Sequence, residues 1–351
     1  MKIALITGSS GLVGSESSFF LLNKGFKVIG IDNNYRKFFF GEEGSTDLIK
    51  KKLILYSKNY IHYDYDITDI LNIEKIFKKF MNKIKIIIHA AAQPSHDWSY
   101  SNPKIDFNVN ALGTLNLLEL TKQYCSNSVF IYLSTNKLYG DNPNKLFFKE
   151  KKFRWDLKRI SKHYKGINEN FSIDNCVHSL FGVSKAYADL VVQEYGKNFG
   201  LKTVCYRAGC ITGPNHSGTK LHGFLSFLVK SCIKYKKYNL IGYKGKQVRD
   251  NIHSFDLVNC FWQFYKNPKK FGEIYNIGGG RFSNCSILEA IKYIEKKLNI
   301  KVRKIFIKKP RAGDHQWYIT DLSKFKKDYP NWKQKYNTQM ILDEIISGYV
   351  S

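Results

Sequence analysis

The first 32 residues constrain the fold more than any other stretch of this 351-residue chain. Lys2–Thr7 is a short apolar run of the kind that a strand buried on both faces needs. It breaks at Gly8-Ser9-Ser10-Gly11-Leu12-Val13-Gly14, then enters a helical pattern through Phe19, Leu21 and Leu22 that ends near Gly25. A second apolar run, Lys27–Ile31, stops at Asp32. Strand, glycine-rich turn, helix, strand and terminal acid make a mononucleotide-binding βαβ unit. Glycines let the backbone turn tightly and approach a pyrophosphate, the helix N-terminus faces the phosphate charge, and the acid accepts ribose hydroxyls. The expected cofactor contacts here are Gly8, Gly11, Leu12, Val13, Asp32 and Asn33. The carboxylate favours NAD over NADP, because it would repel a 2′-phosphate. Arg36 reads as a solvated loop charge.

Composition narrows the classes. At 43% hydrophobic, the chain can bury the core of one large or two modest domains. The formal charge of +27 attracts anions, but its lysines are spread along the whole chain. With no zinc-finger, helix-turn-helix or RNA-binding signature, a phosphate-rich small ligand is expected and nucleic acid is not. No stretch approaches the roughly 20 apolar residues of a membrane span, so no membrane partner is expected. Seven cysteines without a CxxC pair or metal-ligand spacing, and no secretory leader pattern, point to reduced thiols in a cytoplasm and to no metal site.

Further along, 33–50 reads as a polar loop over the adenosine end of the cofactor. Ile84–His89 is the fourth strand, ending in Ala90-Ala91-Ala92-Gln93-Pro94-Ser95-His96-Asp97-Trp98. Small residues at the C-terminal end of a strand leave room for a ligand beside the backbone. Asn108–Thr114 opens a helix reaching Tyr124, and Val129–Leu133 is a fifth strand. Residues 141–177 form a polar, Lys-rich excursion, read as an insertion or lid. A helix runs from His178 through Tyr195, Leu201–Arg207 is a sixth strand, and Phe224–Lys234 begins a smaller domain. The expected division is 1–208, with a returning segment near 247–277, and 209–351.

Glycines 8, 11 and 14 form G-x-x-G-x-x-G after a Thr, which resembles the extended short-chain dehydrogenase/reductase family, including the NAD-dependent nucleotide-sugar epimerases and dehydratases. The resemblance implies an α/β, Rossmann-type doubly wound parallel sheet with a smaller C-terminal substrate-binding domain. It gives Asp66 and Ile67 to the adenine, and Ala90, Ala91 and Ala92 to the central phosphates and ribose. Ser95 and His96 would face the sugar, and the Asn110 amide would brace neighbouring loops. In Ser134-Thr135-Asn136-Lys137-Leu138-Tyr139-Gly140, Thr135 matches the hydroxyl residue that holds the sugar oxygen being oxidised. Dehydratases carry Asp-Glu where this chain has Asn136-Lys137, which argues against dehydration. Asn136 and Asn215 are further expected substrate contacts. Arg249 of Gln247-Val248-Arg249-Asp250 and Arg311 of Arg311-Ala312-Gly313-Asp314 match arginines that grip the diphosphate.

One motif departs from the pattern. The family's base is the Tyr of Y-x-x-x-K, one helical turn before the Lys. Lys185 is present, but the Tyr position is Phe181, and a phenyl ring cannot accept a proton. His96, Lys137 and His178 are the candidate replacements; Tyr187 lies on another helix face. The activity implied is epimerisation of a nucleotide sugar through a transient keto-sugar, at C2 of a CDP-sugar in particular, by a homodimer. A GDP- or UDP-sugar epimerase or dehydrogenase, or a non-catalytic binder of NAD and nucleotide sugar, are the alternatives.

Overall fold

The apolar runs of the sequence become the strands of one sheet. The computed structural model describes residues 1–214, 216, 223–310 and 313–350. In chain order come β1 (Ile3–Thr7), α1 (Leu12–Asn23), β2 (Lys27–Ile31), α2 (Tyr35–Phe40), α3 (Asp47–Tyr56), β3 (Tyr60–Tyr63) and α4 (Ile70–Phe80). Then follow β4 (Ile84–His89), α5 (His96–Ser101), α6 (Pro103–Phe107), α7 (Gly113–Tyr124), β5 (Val129–Thr135), β6 (Phe148–Glu150), β7 (Trp155–Leu157), α8 (Leu180–Lys197) and β8 (Lys202–Ala208). Next are β9 (Cys210–Thr212), α9 (Phe224–Tyr235), β10 (Lys237–Ile241), β11 (Val248–His253), α10 (Ser254–Lys266) and β12 (Glu273–Ile277). The chain finishes with β13 (Asn284–Ser286), α11 (Ile287–Leu298), β14 (Arg303–Ile307), β15 (Trp317–Tyr318), α12 (Ser323–Asp328) and α13 (Thr338–Val350).

These elements form two compact units. The first comprises Met1–Thr135, Leu180–Arg207 and Val258–Tyr275; the second comprises Asn136–Ser179, Ala208–Leu257 and Asn276–Ser351. The expected division, 1–208 with a returning segment near 247–277, differs from this one chiefly at residues 136–179. Residues 136–179 go with the second unit because their backbone is stitched there: Trp155 N–H donates to Lys246 O, and Ile167 N–H to Ile319 O. The expected lid is thus partly a β6–β7 hairpin. Residues 258–275 go with the first unit, where the Tyr206 hydroxyl donates to Cys260 O and Trp262 packs edge-on against Phe20 and Phe26.

The sheet of the first unit has the order β12-β8-β5-β4-β1-β2-β3, with β1–β2, β1–β4, β2–β3 and β4–β5 parallel. Its strands are continuous apolar runs because helices cover both faces. Thr7 at the end of β1 pairs with Ile31 on one side and His89 on the other. The strand order reverses beside β1, which is where open α/β sheets hold ligands.

Two local features differ from the sequence reading. The expected loop over 33–50 contains α2, where Tyr35, Phe38 and Phe39 cluster and Phe39 meets Trp98 at 4.6 Å, and the first turn of α3. Arg36 on α2 is correspondingly not a solvated loop charge. Its guanidinium lies 5.0 Å over the Phe40 ring, and burial pushes it down to about 10 while Asp32 opposes. The helix expected from Asn108 begins with a π-turn, Asn108–Leu112, before α7.

In the second unit β11 pairs with β9 and β15 in parallel and with β13 antiparallel, and β10 pairs with β14. The core there joins Leu225, Leu228 and Val229 of α9 to Ile291 and Ile294 of α11 and Ile341 and Ile345 of α13. Among the described residues no helix is long and apolar enough to cross a membrane.

Candidate functional site

The turn after β1 is shaped by what a side chain would strike. Gly8 sits at φ +66°, and a Cβ there would lie 2.7 Å from Ala91 N. A Cβ at Gly14 would lie 2.0 Å from Gly8 O, so glycine is what lets α1 pack onto the turn. Gly11 is the N-cap of α1 and caps it with no side-chain hydrogen bond. The first-turn N–H groups, including those of Leu12 and Val13, have no acceptor within the helix. Ser10 Oγ is buried with no partner among the described residues. Free helical donors and an unpartnered hydroxyl under a glycine turn suit the pyrophosphate of a dinucleotide.

Asp32 is positioned by the backbone. Its carboxylate accepts from Ser10 N–H at 2.9 Å and Asn34 N–H at 2.8 Å. Burial pushes its carboxyl up, and those two N–H groups hold it back. Each oxygen keeps a second lone-pair site for a ribose hydroxyl. A chain that sequence reasoning missed fixes the main chain here: Ser9 Oγ to Tyr60 OH, Tyr60 OH to His62 Nδ1, and His62 Nε2 to Asp32 O, each 3.0 Å. Asn33 donates to Asp66 at 3.2 Å, while the other Asp66 oxygen accepts from Thr68 N–H and Oγ1–H. The Ile67 side chain, expected at the adenine, is buried in the core, with its Cδ1 2.7 Å from where a Cβ on Gly113 would be.

At the end of β4, Ala90 N–H donates to Thr7 O and Ala91 N–H to Thr7 Oγ1. Ala90, Ala91 and Ala92 are half-buried. Ser95 does not face a sugar: it is buried, and its Oγ caps α5 by accepting Trp98 N–H at 3.2 Å. A serine just before a helix is better used as its cap. Asn110 is the brace that the resemblance implied. Its amide oxygen accepts Gln93 N–H, and its nitrogen donates to Gln93 O, Asp106 and Ser184.

Lys185 is buried on α8, with Nζ donating to Leu133 O at 2.8 Å and lying 4.2 Å over the Tyr132 ring. Burial pushes it down to about 7, opposed by Asp189, Cys205 and Asp106. Thr135 is two residues beyond Leu133 on β5, so the two side chains leave the same face of the strand. Phe181 lies one turn before Lys185; its N–H donates to Ser99 Oγ at 3.2 Å and its ring meets His96 edge-on at 4.9 Å. Tyr187 packs instead on Phe107. Sequence reasoning also missed Asp189, which accepts from Ser134 Oγ at 2.5 Å and from Arg207. Its i+4 spacing from Lys185 was the available signal.

The second unit holds the remaining candidates. Asn136 is buried, and Lys137 Nζ donates to Gly313 O at 2.9 Å. Burial pushes Lys137 down to about 8, Arg249 adds to that, and Asp314 opposes. Arg249 donates to Val248 O at 2.8 Å and pairs with the Asp314 carboxylate. Lys137 and Arg249 therefore converge on Gly313–Asp314. His178 Nε2 donates to Leu138 O at 2.6 Å. Of the three candidate bases, His96 alone shares a unit with Phe181 and Lys185. Asn215 and Arg311 lie outside the described residues.

Comparisons with known proteins identify the family. The family model described as NAD dependent epimerase/dehydratase matches residues 4–278. CDP-paratose 2-epimerase of Salmonella typhi is 33% identical over 330 residues, covering 92% of each chain. UDP-glucuronate 4-epimerase of Thermodesulfobacterium geofontis is 27% identical over 97% of this chain and 93% of its own. In fold, dTDP-glucose 4,6-dehydratase of Bacillus anthracis, solved in complex with NAD, matches with a TM-score of 0.77 at 22% identity, covering 100% of this chain and 97% of that one. The chain belongs to the NAD-dependent epimerase/dehydratase family, and its cofactor is NAD.

Proposed function

We propose that this protein is an NAD-dependent epimerase of a nucleotide sugar, and that the carbon it inverts is C2 of a CDP-sugar. The observation that carries the reading is the buried Lys185 on Leu133 O, on the strand that ends in Thr135. A protein that only bound nucleotide would not need Thr135. The choice of a CDP-sugar rests on the similarity to CDP-paratose 2-epimerase, and Asn136-Lys137 in place of an acidic pair speaks against dehydration.

When bound, NAD supplies a hydride acceptor that can return the hydride. The first-turn N–H groups at Leu12 and Val13 hold its pyrophosphate, and Asp32 takes the ribose hydroxyls. Thr135 hydrogen-bonds the sugar oxygen that becomes a carbonyl. When protonated, Lys185 places a positive charge in a poorly solvated site, where it stabilises negative charge on oxygen more than it would in water. Arg249 presents paired N–H donors to diphosphate oxygens, and Lys137 adds a point charge.

Phe181 favours a second reading, a binder without turnover, because it removes the family's proton acceptor. NMR of CDP-paratose and of a panel of CDP-, GDP- and UDP-sugars incubated with protein and NAD separates the two. A new epimer of the CDP-sugar is expected. Sugars that bind and return unchanged would leave the second reading standing.

The same reading includes a homodimer. On α8, Leu180, Val183, Tyr187 and Leu190 are exposed at three- and four-residue spacing, with Phe107 and Leu112 exposed nearby in sequence to α7. Such a stripe suits a second copy of the chain. Val183→Asp with Leu190→Asp should yield a monomer by light scattering; a persisting dimer would move the interface elsewhere.

A further inference from the structure

Phe181 removes one proton acceptor, and the structure fills its surroundings with another ring. His96 opens α5, and its half-buried imidazole meets the Phe181 ring at 4.9 Å with an interplanar angle of 68°. The contact is locked from behind. Ser99 Oγ, fully buried, donates to His96 O at 2.7 Å and accepts Phe181 N–H at 3.2 Å. One hydroxyl thus ties the histidine's main chain to the residue that replaces the tyrosine. The Ser95 cap fixes the first turn of the same helix.

We infer that His96 is the catalytic proton acceptor of this chain, its imidazole taking over the task of the missing phenol while Phe181 serves as the wall that orients it. The inference rests on the epimerase reading. Histidine is the side chain whose ordinary titration range lies nearest neutrality, which suits a group that must both take and return a proton. The substrate O–H bond breaks, and its proton moves to an imidazole nitrogen. The C–H bond of the same carbon breaks with its electron pair, which leaves as hydride to the nicotinamide of NAD, so the alcohol is oxidised and the cofactor reduced. Return of hydride to the opposite face, and of the proton from the imidazolium to oxygen, restores both. Lys185, one turn beyond Phe181, keeps its place on Leu133 O throughout.

The charged groups on elements packed against α5 are Lys104 and Asp106 on α6, and Lys185, Asp189, Glu194 and Lys197 on α8. Arg36 and Lys37 lie on α2, which reaches Trp98 through Phe38 and Phe39, and Asp97 is on α5 itself. The titration of the imidazole is therefore measured directly.

The test uses NAD-loaded protein and two readouts. His96→Asn should lower kcat about a hundredfold, the usual worth of a general base, with NAD affinity within twofold of wild type and the acid limb of the pH–rate profile lost. Adding Phe181→Tyr to His96→Asn should recover at least about tenfold, since it restores the family's phenol above Lys185. That rescue also guards against a variant that merely misfolds. Independently, the His96 imidazole resonances, assigned by their loss in His96→Asn, should shift when the nucleotide sugar is added. Turnover in His96→Asn within fivefold of wild type overturns the inference, as does an imidazole signal blind to the sugar. A wild type that turns over no sugar while its His96 signal still shifts would sink the epimerase reading and the proton-accepting role with it, leaving His96 as a sugar contact only.

Discussion

In the first unit the groups suited to phosphate are main-chain N–H groups at the start of α1, framed by Gly8, Gly11 and Gly14. In the second they are the side chains of Lys137 and Arg249, drawn from distant parts of the chain to Gly313–Asp314. The main-chain cradle forms as soon as strand and helix do, and it needs no internal counter-ion. The side-chain cluster arrives already paired with Asp314, so an anion there must replace an existing carboxylate contact. The net affinity of such a site is the difference between two charge-assisted interactions.

Gly14→Ala attacks the first arrangement most severely. Its Cβ would sit 2.0 Å from Gly8 O, a backbone atom that cannot swing away. A loss of about 3 kcal/mol in unfolding free energy, as for severe overpacking, and loss of NAD binding are expected by denaturation and calorimetry. A variant with normal stability and NAD affinity would show that the turn is not where the cofactor sits.

Lys185→Ala comes next, with kcat falling about a hundredfold as for loss of a charged group at the reacting centre, and NAD binding weakened. Unchanged kinetics would remove α8 from the site. Arg249→Ala should raise KM for the nucleotide sugar about tenfold, the worth of a charged hydrogen bond, and leave NAD affinity alone. Asp314→Asn, which weakens the internal competitor, should move that KM the other way by a smaller factor. An equal effect of Arg249→Ala on NAD and sugar would erase the contrast between the two units.

The smallest effect is a slope. Lys185 is pushed from 10.5 down to about 7 on folding, so between those values the unfolded chain binds a proton that the folded one lacks. Stability should therefore rise with pH across that window, by at most about 1.4 kcal/mol per pH unit for this one group. Urea unfolding from pH 7 to pH 10 should show the rise, and Lys185→Met should flatten it. Lys137, pushed down to about 8, adds a second contribution in the upper part of the window.

Much of this was legible along the chain. The runs 27–31 and 84–89 became strands at those bounds, because a buried parallel strand needs an unbroken apolar run. The helices α2 and α3 were hidden by the polar residues around them, although Phe38, Phe39 and Phe40 carried an apolar signal. The place of Ser95 before a short helix makes it a cap, and the Ile67 side chain packs into the core beside Gly113, neither of which a motif match reveals.

By itself the sequence determined the βαβ unit, the acid at its end and the absence of a tyrosine before Lys185, since glycine geometry, strand patterning and motif spacing are local properties. The tertiary structure decided that Phe181 meets His96, that Lys185 rests on Leu133 O, and that Arg249 is held by Asp314. Those contacts join residues far apart in the chain, and their geometry depends on how helices and strands pack rather than on any local preference.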